Sequence, residues 1–193
     1  GFDFVTSLRE AINFANSQAG ADTITFDSSV FTGGASSLIR LGGSELVINE
    51  TLTIDGSTAT DVVVTADSAG NDTLVSGTFI TDVSASLAAD GSSLNDNSRV
   101  LNFPVRSNSL TLRGLTITGG RTSGFIQFGG GIRFAGDVLM IDQSTVSGNS
   151  TSGRSSSGGG IYAFYGAVTL NNSTVSGNSV AVGGGGGLAA SSG

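Results

Sequence analysis

The densest run of oxygen-donating side chains in this 193-residue chain lies between positions 55 and 72. Asp55, Asp61, Asp67, Asn71 and Asp72 stand there, around Gly56 and Gly70. Calcium takes six to eight such oxygens, so a calcium site is one reading of the stretch. A solvated polar loop is the other, because Asp67-Ser68-Ala69-Gly70-Asn71-Asp72 lacks the alternating acids of an EF-hand loop. Cysteine, histidine, tryptophan and lysine are all absent. That removes the nucleophile–base pairs that use thiol or imidazole, and it removes thiolate metal sites and disulfides. Glycoside hydrolysis remains open in principle but needs two carboxyls about 5–9.5 Å apart. Beyond residue 98 the only acids are Asp137 and Asp142. Asp137 falls at a turn and Asp142 just past a strand, so no stacked acidic pair is expected on the strands. A catalytic arrangement would have to borrow acids from the middle of the chain, with Arg99 or Arg106 beside them.

These groups are positioned by a repeat. The run GGGIRFAGDVLMIDQSTVSGNS begins at Gly129 and returns 29 residues later, at Gly158, as GGGIYAFYGAVTLNNSTVSGNS. A third copy opens at Gly185 with GGGLAASSG. Self-similarity at a fixed period marks a repeat architecture. Each copy carries three short apolar–polar alternations separated by Gly, Ser and Asn, which predicts three strands and three turns. Such a unit cannot bury its apolar side alone but can when stacked on a neighbour. The expected fold is all-β, a parallel β-helix (β-solenoid), right-handed by the rule for parallel crossovers.

The register assigns columns. Leu101, Ile132 and Ile161 form one inward column; Leu112, Ile141 and Leu170 a second; Ile117, Val146 and Val175 a third. Asn102, Arg133 and Tyr162 fall on an outward column of the Gly-rich strand, where Arg and Tyr can hold a sugar by hydrogen bonds and ring face. A plain solvated strand face is the alternative. Asn149 and Asn178 recur one coil apart at a turn, and stacked amides there can hydrogen-bond along the axis. Gly120 takes that place one coil earlier, so the ladder is short. Thr116/Thr118, Thr145/Ser147 and Thr174/Ser176 would set hydroxyls on an outward mesh of roughly 6.7 by 4.8 Å, the geometry of an ice-binding face or of an ordinary β-favouring surface.

The organisation that follows is one domain. Residues 1–23 hold a strand containing Phe2 and Phe4 and an amphipathic helix over 7–17, with Ser7 and Glu10 as a capping box and Leu8, Ala11, Ile12 and Ala15 on one face. The helix would cover the first coil, whose backbone edge and core are otherwise bare. Residues 24–66 form irregular first coils, 67–98 an inserted loop region, and 99–193 the regular coils. The last copy supplies only a first strand, so the chain is expected to be a fragment of a longer one, continuing in further coils or meeting other copies end to end.

Composition sets the outer limits. Hydrophobic residues make up 38% and mean hydropathy is +0.21, enough to fill a core. Residues 1–98 carry 13 acids and 2 arginines (net −11), and residues 99–193 carry 2 acids and 6 arginines (net +4), which sum to the overall −7. An acidic chain repels phosphate backbones, so nucleic acid is not an expected partner. No apolar run approaches the ~18 residues of a membrane span.

The segment SLREAINFAN, then ADTITFD and LTIDG, resembles the N-terminal region of bacterial surface proteins with a CSLREA-type domain. The GGGI and STVSGN repeats are similar to the GGAI and FxxN repeats of polymorphic outer-membrane adhesins. Thr6 stands where the first family has Cys; Val146 and Val175 occupy the Phe position of the second, while Asn149 and Asn178 keep its Asn. The resemblance covers most of residues 6–193 outside the insertion, and implies a right-handed parallel β-helix, export, and a long polypeptide with a separate anchor. The expected function is a structural and adhesive segment at the bacterial cell surface or in an extracellular filament, with surface glycans as possible ligands and calcium as a possible cofactor. The alternatives are a polysaccharide-acting lyase or hydrolase and, third, an ice-binding solenoid.

Overall fold

In the computed structural model the chain is a parallel β-helix of five coils, described over residues 6–67, 73–75, 78–80 and 98–191. The expected strand around Phe2 and Phe4 lies outside the described residues, as do Asn71, Asp72 and most of the insertion.

Three parallel sheets of five strands wall the solenoid. The first holds Asp22–Thr25, Leu52–Asp55, Ser109–Arg113, Val138–Asp142 and Ala167–Asn171. The second holds Leu38–Arg40, Val62–Thr65, Leu115–Thr118, Thr145–Ser147 and Thr174–Ser176. The third holds Leu46–Val47, Leu101–Phe103, Ile132–Phe134, Ile161–Phe164 and Leu188–Ser191. Every coil visits the sheets in that order, so each sheet gains one strand per coil. At a strand spacing of ~4.8 Å the five ranks make a rod roughly 24 Å long. Two-residue strands line the corner between the second and third sheets: Arg121–Thr122, Ser150–Thr151 and Ser179–Val180 pair with one another, and Ser156–Ser157 pairs with Gly183–Gly184. The insertion leaves this corner in the second coil and contains an antiparallel pair, Thr73–Val75 with Thr78–Ile80.

The register is the one the repeat dictates. Ile132 sits between Leu101 and Ile161, Ile141 between Leu112 and Leu170, and Val146 between Ile117 and Val175. The first two coils, which do not follow the 29-residue period, join the same columns: Leu46 pairs with Leu101, Ile54 with Leu112 and Val64 with Ile117. Phe103 and Phe134 stack inside at 5.0 Å, one coil apart.

Glycine triplets lead into the third sheet in the last three coils. A Cβ on Gly130 would stand 2.3 Å from the carbonyl oxygen of Ser150, and one on Gly120 would stand 2.1 Å from that of Gly130. The chain entering the third sheet therefore runs backbone to backbone against the corner strands, and only glycine leaves room. This is why GGG precedes each Ile or Leu of the repeat.

The helix Leu8–Ala15 lies against the first coil. Its capping box is formed: the Ser7 hydroxyl accepts from Glu10 N–H, and the Glu10 carboxylate accepts from Ser7 N–H at 2.9 Å. Leu8, Ile12 and Ala15 are buried in the core. Arg9 donates to the carbonyls of Ser44 and Glu45, and the Asn16 side chain both donates to the Val47 carbonyl and accepts from Asn49 N–H. The helix thus covers two of the three first-coil edges. At the opposite end Leu170 is 44% exposed, whereas its column partners Leu112 and Ile141 are fully buried.

One expectation fails. Thr118 and Ser147 are buried rather than outward; the Thr116–Thr145–Thr174 column is half-buried to exposed, and of the second column only Ser176, on the last coil, is exposed. The strands end at these residues and the chain turns at once through Gly119 and Gly148, both near φ +65°, into the corner strands. The two-column hydroxyl mesh needed to face ice does not exist.

Ile141→Asp places an unpaired carboxylate in the fully buried column and is expected to cost more than about 4 kcal/mol. Thr145→Asp, on the partly exposed side of the same coil, should change stability by about 1 kcal/mol or less. Thermal melts followed by circular dichroism separate the two; equal loss in both would contradict the register.

Candidate functional site

The outer side of the third sheet gathers more functional groups than any other described face. Its outward positions put Val47, Asn102, Arg133, Tyr162 and Ala189 in one register, a rank per coil. The three residues expected from the sequence to share a column therefore do so, but their surroundings differ along it.

At the N-terminal side the column is polar. Asn102 Nδ2 donates to Glu45 Oε1 at 2.7 Å, and Arg133 Nη1 donates to Asn102 Oδ1 at 3.1 Å. Arg99 pairs with the other Glu45 oxygen and donates from Nε to the carbonyls of Phe128 and Gly129, at 3.1 and 2.8 Å. One guanidinium thus ties the first, second and third coils at the point where the insertion rejoins the ladder. Burial pulls the Arg99 pKa below its usual value; the Glu45 carboxylate opposes that pull and the Arg133 charge adds to it.

Toward the C-terminal side the column is aromatic. Tyr162 was expected to face solvent with its neighbours; instead it is only 6% exposed. The ring of Phe128 stacks on it at 4.3 Å, with the planes 22° apart. Phe164 meets both rings, Tyr165 follows Phe164 at 5.1 Å, and the Arg106 guanidinium lies 4.0 Å above the Tyr165 ring. Tyr165 itself sits in the left-handed region at φ 74°, at the turn after its strand. Sequence reasoning placed Asn102, Arg133 and Tyr162 on this face and named Arg99 and Arg106 only as companions of a catalytic arrangement. Glu45, Arg99, Phe128 and Arg106 come from loops outside the repeated strands, and the tyrosine cover could have been suspected from the density of aromatics in IYAFY.

The described members of the oxygen-rich stretch, Asp55, Asp61 and Asp67, do not converge. Asp55 caps Ser57, accepting from its N–H at 2.8 Å, and faces Arg113 at 3.9 Å. Asp61 is exposed, at φ 50°. Asp67 is buried and paired with Arg40 at 2.7 Å. Among the described residues no group of three acids is placed to hold a metal. On the first sheet, Arg113 stands in register between Asp55 and Asp142 and reaches Asp142 at 3.2 Å; Asn171 donates to Asp142 at 2.6 Å. Both carboxylates are committed to that one guanidinium, so they make a structural ladder rather than an acid–base pair.

Asn149 and Asn178 form the other ladder. Asn149 Oδ1 accepts from Gly120 N–H at 2.8 Å, and its Nδ2 donates to the carbonyls of Ile117 and Ser147. Asn178 Oδ1 accepts from both the backbone and the side chain of Asn149, and Asn178 Nδ2 donates to the Val146 carbonyl. Each amide serves the turn of the coil before it, so the glycine at position 120 is the terminus that the first amide caps.

Comparison with protein-family models, with curated proteins and with solved structures returns no match. Among the described residues no helix is long and apolar enough to cross a membrane.

Asn149→Ala strands several buried donors and acceptors at once and is expected to cost about 3 kcal/mol, against about 1–2 kcal/mol for Asn178→Ala on the less buried last coil; urea unfolding reads both. A second expectation concerns acid. Burial raises the Asp55 pKa, but the hydrogen bonds from Ser57 and the Arg113 charge outweigh it and hold the carboxyl below its ordinary value. Its stabilisation is therefore complete above about pH 4 and lost as pH falls through the folded value. The stability gap between wild type and Asp55→Asn should narrow between pH 6 and pH 3 in urea titrations, and a constant gap would refute the assignment.

Proposed function

We propose that this chain is a structural and adhesive segment of an exported bacterial surface or extracellular filament protein. It acts as a stiff rod that spaces and displays what its faces and its insertion carry. The observation that carries the reading is the unbroken register of three parallel sheets through all five coils. Backbone hydrogen bonds in a parallel sheet run along the solenoid axis, so stretching or bending the rod works against many ladders at once. The charged pairs support the same role: each described ion pair joins residues of different coils or fastens an end of the insertion. The SLREA opening and the STVSGN repeats, similar to those of bacterial surface proteins, support export and location at the cell surface.

The test is accessibility. Antibodies raised against the folded domain are expected to label intact cells of the source organism, or material shed from them. Labelling that requires permeabilisation would overturn the proposal.

A further inference from the structure

We infer that the outer face of the third sheet between Arg133 and Arg106 is a binding site for an acidic polysaccharide. The inference deepens the adhesive part of the reading above and rests on it.

The argument begins with charge. The arginines at 40, 99 and 113 each meet a carboxylate, and Arg9 is taken up by two carbonyls. Among the described residues Arg106, Arg121, Arg133 and Arg154 meet none, and of these Arg133 and Arg106 stand beside the rings of the third sheet: Arg133 has the amide oxygen of Asn102, and Arg106 has the Tyr165 ring. Stacking uses the flat side of a guanidinium and leaves its in-plane N–H groups free for a planar anion. Arg106 lies over the ring and is exposed, while Arg133 is fixed by one donor.

The ground between them is aromatic and continuous. Arg133 stands one coil above Tyr162 in the ladder, and from Tyr162 the rings pass through Phe164 to Tyr165 in steps of 5.5 and 5.1 Å, under Arg106. Phe128 roofs the buried end. Tyr165 is 39% exposed, and Phe164 and Phe128 are partly so. Rings fixed by one another offer a preformed apolar platform at small entropic cost, suited to the C–H face of a pyranose. Two cations flanking such a platform select sugars that carry carboxylate or sulfate. Single-stranded nucleic acid also uses cations and stacked rings. It is therefore an arm of the experiment, where oligo-dT tests it against the sugars.

The experiment is affinity electrophoresis of the whole chain in native gels containing polygalacturonate, dextran sulfate, neutral galactan or oligo-dT. Retardation by polygalacturonate or by dextran sulfate is expected, the two arms telling carboxylate from sulfate. The effect should weaken as salt approaches about 0.5 M. Arg106→Gln with Arg133→Gln should lower affinity by about tenfold or more. Tyr165→Asn, which removes the ring but tolerates the left-handed backbone, should lower it similarly. Arg154→Gln, at an exposed arginine on the neighbouring corner, should leave it unchanged. Superimposable circular dichroism spectra establish that the variants are folded. The site is overturned by no retardation in either acidic gel, by undiminished retardation of the double variant, or by equal retardation with oligo-dT or neutral galactan. Surface labelling of intact cells without acidic-glycan binding would overturn the site and leave the rod standing.

Discussion

Coil-on-coil register is the constraint on which everything else in this molecule depends. A parallel ladder admits one alignment in which like stands over like, and a slip by one residue would turn each inward column outward. Glycine enforces that alignment. Because Gly130 and Gly159 press against the Ser150 and Ser179 carbonyls of the corner strands, and Gly131 and Gly160 against the asparagine ladder and the next glycine triplet, there is no space for the chain to shift with a side chain attached. The asparagine ladder acts in the same direction, since each amide bonds carbonyls of its own turn or of the coil before. Apolar burial supplies the attraction, and these backbone contacts decide where the coils come to rest.

The first coil carries its own cover. At the first coil a helix of eight residues covers the core with Leu8, Ile12 and Ala15 and satisfies loop carbonyls through Arg9 and Asn16. Two hollows of about 590 and 540 Å³ remain beside it, lined mainly by threonine and apolar side chains of the helix and first coil. They lack the converging charges that distinguish the third sheet. Down the columns burial is complete in the middle and declines at the last coil, from Ile161 at 0% to its column partner Leu188 at 37%. The gradient follows from one-dimensional stacking, in which a coil is only as buried as its neighbours make it.

The parts of the fold governed by period were legible in the sequence. Ile132 and Ile161, Ile141 and Leu170, and Val146 and Val175 could be placed by counting, and so could the capping box at Ser7 and Glu10. The irregular first coils were legible as strands because their alternation is strong, although no period located them. What could not be read was anything set by side chains arriving from outside the repeat. Tyr162 is outward by register yet buried, because Phe128 folds back over it from a loop. Thr118 and Ser147 are outward by alternation yet buried, because the corner begins before the alternation ends. Glu45 and Arg99 are 54 residues apart and separated by the insertion, so no local pattern joins them. Asp55 and Asp67 looked like potential calcium ligands when counted along the chain, but each is spoken for by an arginine from another coil.

That last contrast explains why a candidate binding surface arises on one wall and not on the others. In a parallel solenoid, adjacent ranks bring side chains within about 5 Å, so opposite charges placed in one column neutralise each other along the axis. The first sheet does this with Asp55, Arg113, Asp142 and Asn171, and its polar groups are consumed internally. On the third sheet the column changes character halfway, from Asn102, bonded by the loop residue Glu45, to Tyr162 and Ala189. Arg133 stands at the change, with an amide on one side and rings on the other. Neither neutralises a cation fully. The positive charge therefore remains available at the border of the aromatic patch, and the architecture that consumes charge elsewhere exposes it there.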